Sequence, residues 1–272
     1  MTKKETGVAV VDQKSLEALK DMYPTEQGFT RLLLPRLTMV SQDQTEGNGK
    51  AMKVVTEAGT FFTEKQSQDE TENEDGKMVK EWVKDEIGDS IEGVILFQRK
   101  QLKMYDEDTE KYTSSPIYDT EDETVVLFCD KKEVARGLPK DLKAKYQYTD
   151  KAGKVKSALE DNRILYILYE AEVYQMNLRG SSMYSFLTYS RKVLPPSVLT
   201  SFSSEAKEKG EIAWNQMTFE IKCALNAKEI ADVIERVAGI KEGIAMEKGY
   251  YAQQNAAKSG NEIDPDKDLK DF

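Results

Sequence analysis

The clearest alternation of apolar and polar residues begins at Arg163. Apolar side chains recur at every second position from Leu165 to Val173, while the opposite positions change from Ile164 to Glu172. This pattern predicts one strand that is buried on both faces at its start and reaches water towards its end.

A helix and another strand are predicted after it. Gly180-Ser181-Ser182 forms a break and a helix N-cap, and Pro195-Pro196 ends the helix. Apolar and polar residues then alternate from Ile212 to about Leu225, which predicts a strand. The strand after Arg163, the helix after Gly180 and the strand after Ile212 are therefore the central elements of the predicted fold.

Another strong strand signal lies between Ile91 and Tyr105. Its even positions are mostly apolar, whereas its odd positions combine aromatic and basic side chains. Shorter strands are predicted from Met52 to Phe62 and from Thr124 to Cys129. The segment around Pro35 is predicted to lie at a sheet edge, because proline lacks the donor that a central strand needs.

Two polar stretches are predicted to lack regular structure. The run from Glu64 to Lys80 has few apolar residues and is predicted to be a solvated loop. Residues 131–153 are predicted to form an irregular basic connector. In contrast, apolar residues recur at helical spacing from Lys228 to Tyr251, which predicts an amphipathic helix.

These signals divide the chain into four parts. Residues 1–24 are predicted to be an N-terminal extension, 25–226 the core, 227–251 the amphipathic helix and 252–272 a flexible acidic tail. Strands that are followed by a helix and then by further strands fit the oligonucleotide-binding barrel. We therefore predict a β-rich α+β fold with such a barrel, elaborated by long loops.

Composition narrows the possible chemistry. The chain has 272 residues, a formal net charge of -10 and no histidine, so the commonest general base is missing. Its two cysteines, Cys129 and Cys223, lie in apolar runs and are predicted to be reduced core residues. No glycine-rich phosphate loop or cluster of metal ligands is evident. The sequence therefore predicts no catalytic residues, no metal and no cofactor, with a carboxylate–metal nuclease as an alternative.

Nucleic-acid binding is the favoured function. Single-stranded nucleic acid is held by a cationic groove and by aromatic side chains on which bases stack. Ordinary packing is the better explanation of any one such residue, so the hypothesis rests on the whole set. The predicted single-stranded-DNA-binding residues are Phe97, Arg99, Lys100, Lys103, Tyr105, Tyr166, Tyr174, Arg179, Arg191, Lys192, Trp214 and Lys222.

The last residues of the chain are acidic and end in an aromatic side chain, with Asp264, Asp266, Asp268, Asp271 and Phe272. Lys267 and Lys270 interrupt the acidic run. This tail and the order of elements over about residues 30–225 resemble single-stranded-DNA-binding proteins of bacteria and their viruses. The resemblance implies that the tail docks proteins of replication and recombination and competes with DNA for the basic groove.

We therefore expect a sequence-tolerant single-stranded-DNA-binding protein that acts in phage DNA replication or recombination. The expected partners are single-stranded DNA and, through the tail, replication or recombination proteins, with a homo-oligomer as one option. The polar N-terminus and the lack of a long apolar run predict a cytoplasmic protein that does not bind membranes. Alternatives are a viral structural or protein-interaction protein that does not bind DNA, an acidic mimic of DNA, and the nuclease.

Overall fold

The structure is a computed structural model that describes residues 34–46, 53–72, 78–106, 109–130, 132–150 and 152–259. This part of the chain is rich in β-structure, which confirms the predicted class. Its strands are β1 (Arg36–Met39), β2 (Gln44–Glu46), β3 (Lys53–Thr56), β4 (Phe61–Glu72), β5 (Met78–Gly88), β6 (Ser90–Asp106), β7 (Lys111–Ser114), β8 (Val125–Cys129), β9 (Lys132–Gly137), β10 (Gln147–Thr149), β11 (Val155–Ser157), β12 (Glu160–Tyr169), β13 (Glu172–Leu178), β14 (Val198–Lys209) and β15 (Ile212–Ala224). Its helices are α1 (Pro139–Lys145), α2 (Gly180–Ser190) and α3 (Ala227–Ser259), and a short 3₁₀ turn covers Pro195–Ser197.

The chain divides into two compact units. Leu34–Gly239 forms one unit, and Met1–Leu33 together with Ile240–Phe272 forms the other. All the strands named above, α1 and α2 lie in the first unit. The described part of the second unit is the C-terminal portion of α3.

Strand β6 joins the parts of a large mixed sheet. The strands β5, β4, β1, β13, β12, β6, β7, β8 and β9 are neighbours in that order, and β14 pairs with both β6 and β15. The start of β6 pairs with β14, its middle with β12 and its end with β7. Gly93 permits this junction, because a Cβ there would lie 2.9 Å from the backbone oxygen of Leu168. The described strands form no closed barrel, so the oligonucleotide-binding fold itself is not confirmed.

Helix α2 packs on one face of this sheet. Met183, Phe186 and Tyr189 are its buried residues, and the rings of Phe186 and Phe202 lie 5.5 and 5.4 Å from the ring of Phe219. The Tyr189 hydroxyl and the Thr200 Oγ1 are hydrogen bonded at 2.7 Å. These contacts fix α2 over the β14–β15 hairpin and confirm the predicted order of helix and strand.

A smaller core lies at the other end of β6. Its buried residues come from β6, β8, β9, α1 and the segments between them, and they are Leu102, Tyr118, Val125, Leu127, Ala135, Leu142 and Leu159. Leu142 anchors α1, which lies in the region predicted to be an irregular connector. That prediction is wrong, because β9, α1 and β10 are regular elements there.

The strand predicted after Arg163 is two strands joined by a tight turn. β12 ends at Tyr169 and β13 begins at Glu172, with Glu170 and Ala171 between them at φ of 48° and 68°. A two-residue turn with positive φ at both positions matches the strand twist and usually contains Asn or Gly. Neither residue occurs here, so the apolar alternation runs through the turn without a signal.

The predicted solvated loop is a long antiparallel hairpin. Phe61–Glu72 pairs with Met78–Gly88, and residues 73–77 between them lie outside the described residues. Backbone pairing needs no apolar side chains, so a hairpin with polar side chains gives no periodic signal in the sequence.

Two further strands differ from the prediction. β1 lies between β4 and β13 rather than at an edge. Pro35 lies just before the first residue of β1, a position at which a strand tolerates the missing proline donor. Its carbonyl accepts a hydrogen bond from the Gln175 N–H at 2.8 Å. β14 is absent from the prediction, although Val198, Thr200 and Phe202 are buried at every second position.

The remaining predictions concern the chain ends and the cysteines. Helix α3 confirms the predicted helix and begins at its predicted start, Ala227, but continues to Ser259. Residues 252–259, predicted to belong to the flexible tail, are therefore helical. The N-terminal extension and the tail from Asp264 to Phe272 lie outside the described residues. Cys129 and Cys223 are free thiols, but Cys129 is half-buried and Cys223 is exposed, so neither is the buried core residue that we predicted. No helix in the described ranges is both long and apolar enough to cross a membrane.

Candidate nucleic-acid interface

Cross-strand pairing brings aromatic side chains of three strands onto one sheet face. Tyr105 of β6 lies opposite Tyr112 of β7, and Ser114, two residues further along β7, lies opposite Phe128 of β8. Residues that are directly opposite or two apart share a face of a sheet. Lys103 shares this face because it lies opposite Ser114. We call Lys103, Tyr105, Tyr112 and Phe128 the outer platform.

The rings of the outer platform are open to solvent. Tyr105, Tyr112 and Phe128 are 48%, 50% and 37% exposed. The Tyr105 and Tyr112 ring centroids lie 4.7 Å apart with the planes tilted by 45°, and the Lys103 Nζ lies 4.3 Å from the Tyr112 centroid. Exposed rings beside a cation are the combination that binds bases and phosphates together.

Alternation along the strands explains why this face is open. Leu102, Thr113 and Leu127 are the intervening positions, and all three are buried. Leu102 and Leu127 belong to the smaller core with Leu142 of α1. Since the apolar set covers that core, the alternate set must project from the other face of the sheet.

Two cations near the outer platform, Lys111 and Arg136, are neutralised by carboxylates. Lys111 pairs with Asp130 at 2.6 Å, and the Asp130 hydrogen bond raises the pKa of Lys111 above its ordinary value. Arg136 pairs with Glu133 at 2.8 Å and lowers the pKa of that carboxyl by hydrogen bonding. Lys103 makes no ion pair among the described residues, although Glu160 of β12 lies opposite it, so its charge is available to a ligand.

Two of the predicted stacking residues lie in the interior. Phe97 stacks on Tyr166 with the centroids 4.2 Å apart, and Tyr166 is only 1% exposed. Tyr174 is also buried, and its hydroxyl donates to Glu172 at 2.9 Å. Buried rings have no open face for a base, so Tyr166 and Tyr174 support the core and are not part of the outer platform.

Two predicted phosphate contacts are held by internal partners. Arg99 is buried, pairs with Asp119, and donates to the backbone oxygen of Ile117 at 3.1 Å. Lys100 pairs with Glu121 at 2.6 Å. To reach a phosphate on the platform face, the buried Arg99 guanidinium would have to leave both Asp119 and the Ile117 oxygen, which is costly.

The other predicted residues lie around α2 and β15. The Trp214 Nε1 donates to the Ser181 hydroxyl at 3.1 Å, and Lys222 pairs with Glu92 at 2.8 Å. β14 pairs with β6 as far as Gly93. Lys103 lies ten residues further along β6, which is roughly 33 Å in an extended strand. These residues are therefore far from the outer platform. The predicted phosphate contacts Arg179, Arg191 and Lys192 are exposed in the same region.

A shallow groove runs between α2 and the outer edge of β15. Tyr184 and Lys192 line it from α2 and the residues that follow, and Phe219 and Ile221 line it from β15. The Met217 N–H on this edge donates to the Ser182 hydroxyl at 3.0 Å, so Ser182 binds the strand and does not cap the helix as predicted.

Tyr112 and Phe128 are the platform residues that the sequence analysis missed. Each belongs to a short strand of four or five residues, so neither has a long alternating pattern around it. Their only sequence signal is an aromatic residue at a polar-facing position of a short strand. The pairing register of β6, β7 and β8 is what groups them with Tyr105.

Comparison with known proteins adds no assignment. No protein-family model matches the chain, and no curated protein or solved structure matches it significantly. Within the described ranges, no group of Asp, Glu and Cys side chains is placed to hold a metal ion. Any functional assignment therefore has to come from the geometry of the surfaces.

Proposed function

We propose that this protein binds single-stranded DNA by stacking bases on the outer platform. The observation that carries the proposal is the set of three exposed rings on adjacent strands of one face, with Lys103 over one of them. Stacking uses the π-face that every base has, so binding is sequence-tolerant. Lys103 supplies the contact to the phosphate backbone.

The proposal retains the predicted ligand but changes the residues that bind it. Tyr105 and Lys103 remain from the predicted set, and Tyr112 and Phe128 join them. An oligonucleotide-binding barrel presents such rings on its wall, and the proposed stacking needs only the open face of β6, β7 and β8. A role in phage DNA replication or recombination belongs to the same proposal and is supported by the resemblance of the acidic C-terminal residues.

Fluorescence anisotropy of a labelled oligo-dT tests this function. The protein is titrated at two salt concentrations, with unlabelled duplex of the same length as competitor. We expect saturable binding that duplex displaces poorly, because paired bases have no free faces for stacking. Equal displacement by duplex would indicate simple charge attraction, and no binding at low salt would remove the DNA function.

One observation favours a second function, that of a protein-interaction module. Among the described strands β15 pairs only with β14, and its outer edge borders the groove with Tyr184 and Ile221 exposed. The Asn215 and Met217 N–H groups on this edge are bonded within the chain, to Ser41 and Ser182. The part of the edge beside Ile221 is the surface on which another chain could pair. If oligo-dT does not bind, native mass spectrometry for self-association would be the next experiment on this edge.

A further inference from the structure

Three polar side chains form a row across the sheet on the face opposite the outer platform. Arg163 of β12 lies directly opposite Lys100 of β6, and Tyr118 is bridged to Lys100 from the other side. Lys103 and Lys100 are an odd number of residues apart on β6, so they project from opposite faces. The row and the outer platform are therefore separate surfaces.

Two ion pairs border this row. Lys100 donates to Glu121 at 2.6 Å, and Lys143 of α1 donates to Asp161 at 2.6 Å. Burial works to raise the pKa of Glu121, but the Lys100 hydrogen bond and nearby positive charges hold it below its ordinary value. The Glu121 carboxylate therefore stays charged. Both carboxylates are bonded to a lysine, and each ammonium keeps further donors for another acceptor.

Two buried donors in the row have no acceptor. The Arg163 Nε and the Tyr118 hydroxyl are enclosed but have no hydrogen-bond partner within the described part of the chain. Tyr118 is only 2% exposed, and burial followed by the charge of Glu121 raises its pKa, so the hydroxyl keeps its proton. Like charges directly opposite on a sheet destabilise it. Glu121 lies near both cations and is bonded to Lys100, whereas the Arg163 Nε has no acceptor of its own.

We propose that Arg163, Tyr118, Lys100 and Lys143 form a binding site for a phosphate group. All four present donors, and three of them are cations, whereas the two adjacent carboxylates are already bonded. A phosphate offers several strong acceptor oxygens, which suits a guanidinium, a hydroxyl and shared ammonium groups together. The side chains of Lys100, Lys143 and Asp161 are 21%, 26% and 34% exposed, so solutes reach the edge of the site.

Thermal unfolding of the full chain with inorganic phosphate tests the site. A phosphate series at constant ionic strength, balanced with chloride, separates specific binding from general salt effects. We expect wild type to be stabilised progressively by phosphate, because a ligand that binds only the folded state raises its stability. Arg163→Gln should weaken the phosphate affinity obtained from these curves by at least about tenfold.

Tyr118→Phe separates a binding role from a structural role. It removes only the hydroxyl, so without phosphate it should unfold at or above the wild-type temperature, because an unpaired buried hydroxyl is lost. With phosphate it should show a smaller stabilisation than wild type. Lys140→Gln is the control, since it replaces an exposed lysine of α1 that lies three residues from Lys143 of the site. Lys140→Gln should respond to phosphate as wild type does.

The outcomes that overturn the proposal are clear. Equal stabilisation by phosphate and chloride in wild type would mean that no specific site exists. An unchanged phosphate response in Arg163→Gln and Tyr118→Phe would mean an adventitious ion only. Loss of stability in Tyr118→Phe without phosphate, with no effect on the phosphate response, would assign the hydroxyl to the fold alone.

A second titration distinguishes the source of the phosphate. Oligo-dT with and without a 5′-phosphate is compared on wild type and Arg163→Gln. Tighter binding of the phosphorylated strand that Arg163→Gln abolishes would assign the site to a nucleic-acid end. Equal binding of the two strands, with inorganic phosphate still stabilising the protein, would assign it to a small phosphate compound. Loss of oligo-dT binding alone would leave the phosphate site intact, since it lies on the other face.

Discussion

Under the proposed function, individual side chains of the outer platform contribute more to binding than to folding. Tyr105 and Tyr112 are about half exposed and contact each other across two strands. Such a cross-strand pair contributes roughly 0.2–1 kcal/mol to the stability of a sheet. A base stacked on one of these rings contributes roughly 1–3 kcal/mol to binding. Substitutions here therefore separate the two properties.

Tyr112→Ala should weaken oligo-dT binding by roughly 1–3 kcal/mol, because it removes a stacking surface and the ring beneath Lys103. Tyr112→Phe should retain most of the affinity, since it keeps the π-face. Tyr184→Ala, which removes an exposed ring from α2, is the control and should bind as wild type does. Isothermal titration of the three variants measures the difference, and equal losses in Tyr112→Ala and Tyr184→Ala would contradict the platform.

Glu172 gives the fold a sensitivity to acid. The Lys65 and Tyr174 side chains donate to its carboxylate and lower its pKa below the ordinary 4.5. A carboxyl group whose pKa is lower in the folded state stabilises the fold above its unfolded pKa, and this contribution is lost as the pH falls through the folded pKa. Glu172→Gln should therefore lose less thermal stability than wild type as the pH falls below about 4.5. If the unfolding temperatures of the two proteins fall equally as the pH is lowered, the Glu172 contacts contribute nothing to stability.

At the scale of elements, strand pairing determines the backbone conformation of the β12–β13 turn more than the pattern of side chains does. The β12–β13 turn places Glu170 and Ala171 at positive φ, where residues with a Cβ are strained. The stability of the two flanking strands, which pair from Arg163–Leu178 to Tyr169–Glu172, offsets that strain. A residue that tolerates positive φ should therefore make the folded protein more stable at this turn.

Ala171→Gly should raise the free energy of unfolding by about 0.5–1 kcal/mol, because relief of positive-φ strain exceeds the added entropy of the unfolded chain. The same change at Ala213, within β15 at ordinary φ, should lower it by about 0.5–1 kcal/mol. Urea unfolding of both variants measures the pair of effects. A loss of stability in Ala171→Gly would mean that this turn is not strained.

Elements with a long amphipathic pattern are predictable from this sequence. β6, β15, α2 and α3 combine such a pattern with clear boundaries, and the structure contains all four. The β4–β5 hairpin lacks an apolar pattern, and the turn at Glu170 lacks a glycine or asparagine. The outer platform was half predictable, since Lys103 and Tyr105 lie on one long strand while Tyr112 and Phe128 join them only through register.

At the scale of the whole molecule, the proposed interface is a small, nearly neutral area on an acidic protein. The formal net charge is -10, and near the outer platform Lys111 and Arg136 are paired with carboxylates. Attraction to the phosphate backbone is therefore weak, and stacking must supply most of the affinity. This balance sets the response of binding to salt.

The logarithm of the oligo-dT association constant should fall with the logarithm of salt concentration at a slope of about −0.7 to −2, as expected for one to three phosphate contacts. Lys103→Gln should make that slope shallower, whereas Lys140→Gln, on α1 away from the platform, should leave it unchanged. Anisotropy titrations over a salt series give both slopes. A slope several times steeper would require a cationic surface other than the outer platform.

The most direct test compares wild type with a variant in which Tyr105, Tyr112 and Phe128 are all alanine. Oligo-dT affinity is measured for both at one low salt concentration, and their thermal unfolding is compared to confirm that both are folded. Stacking on the outer platform predicts that the variant binds at least about a hundredfold more weakly. A folded variant that binds oligo-dT as tightly as wild type would contradict the proposed function of this face.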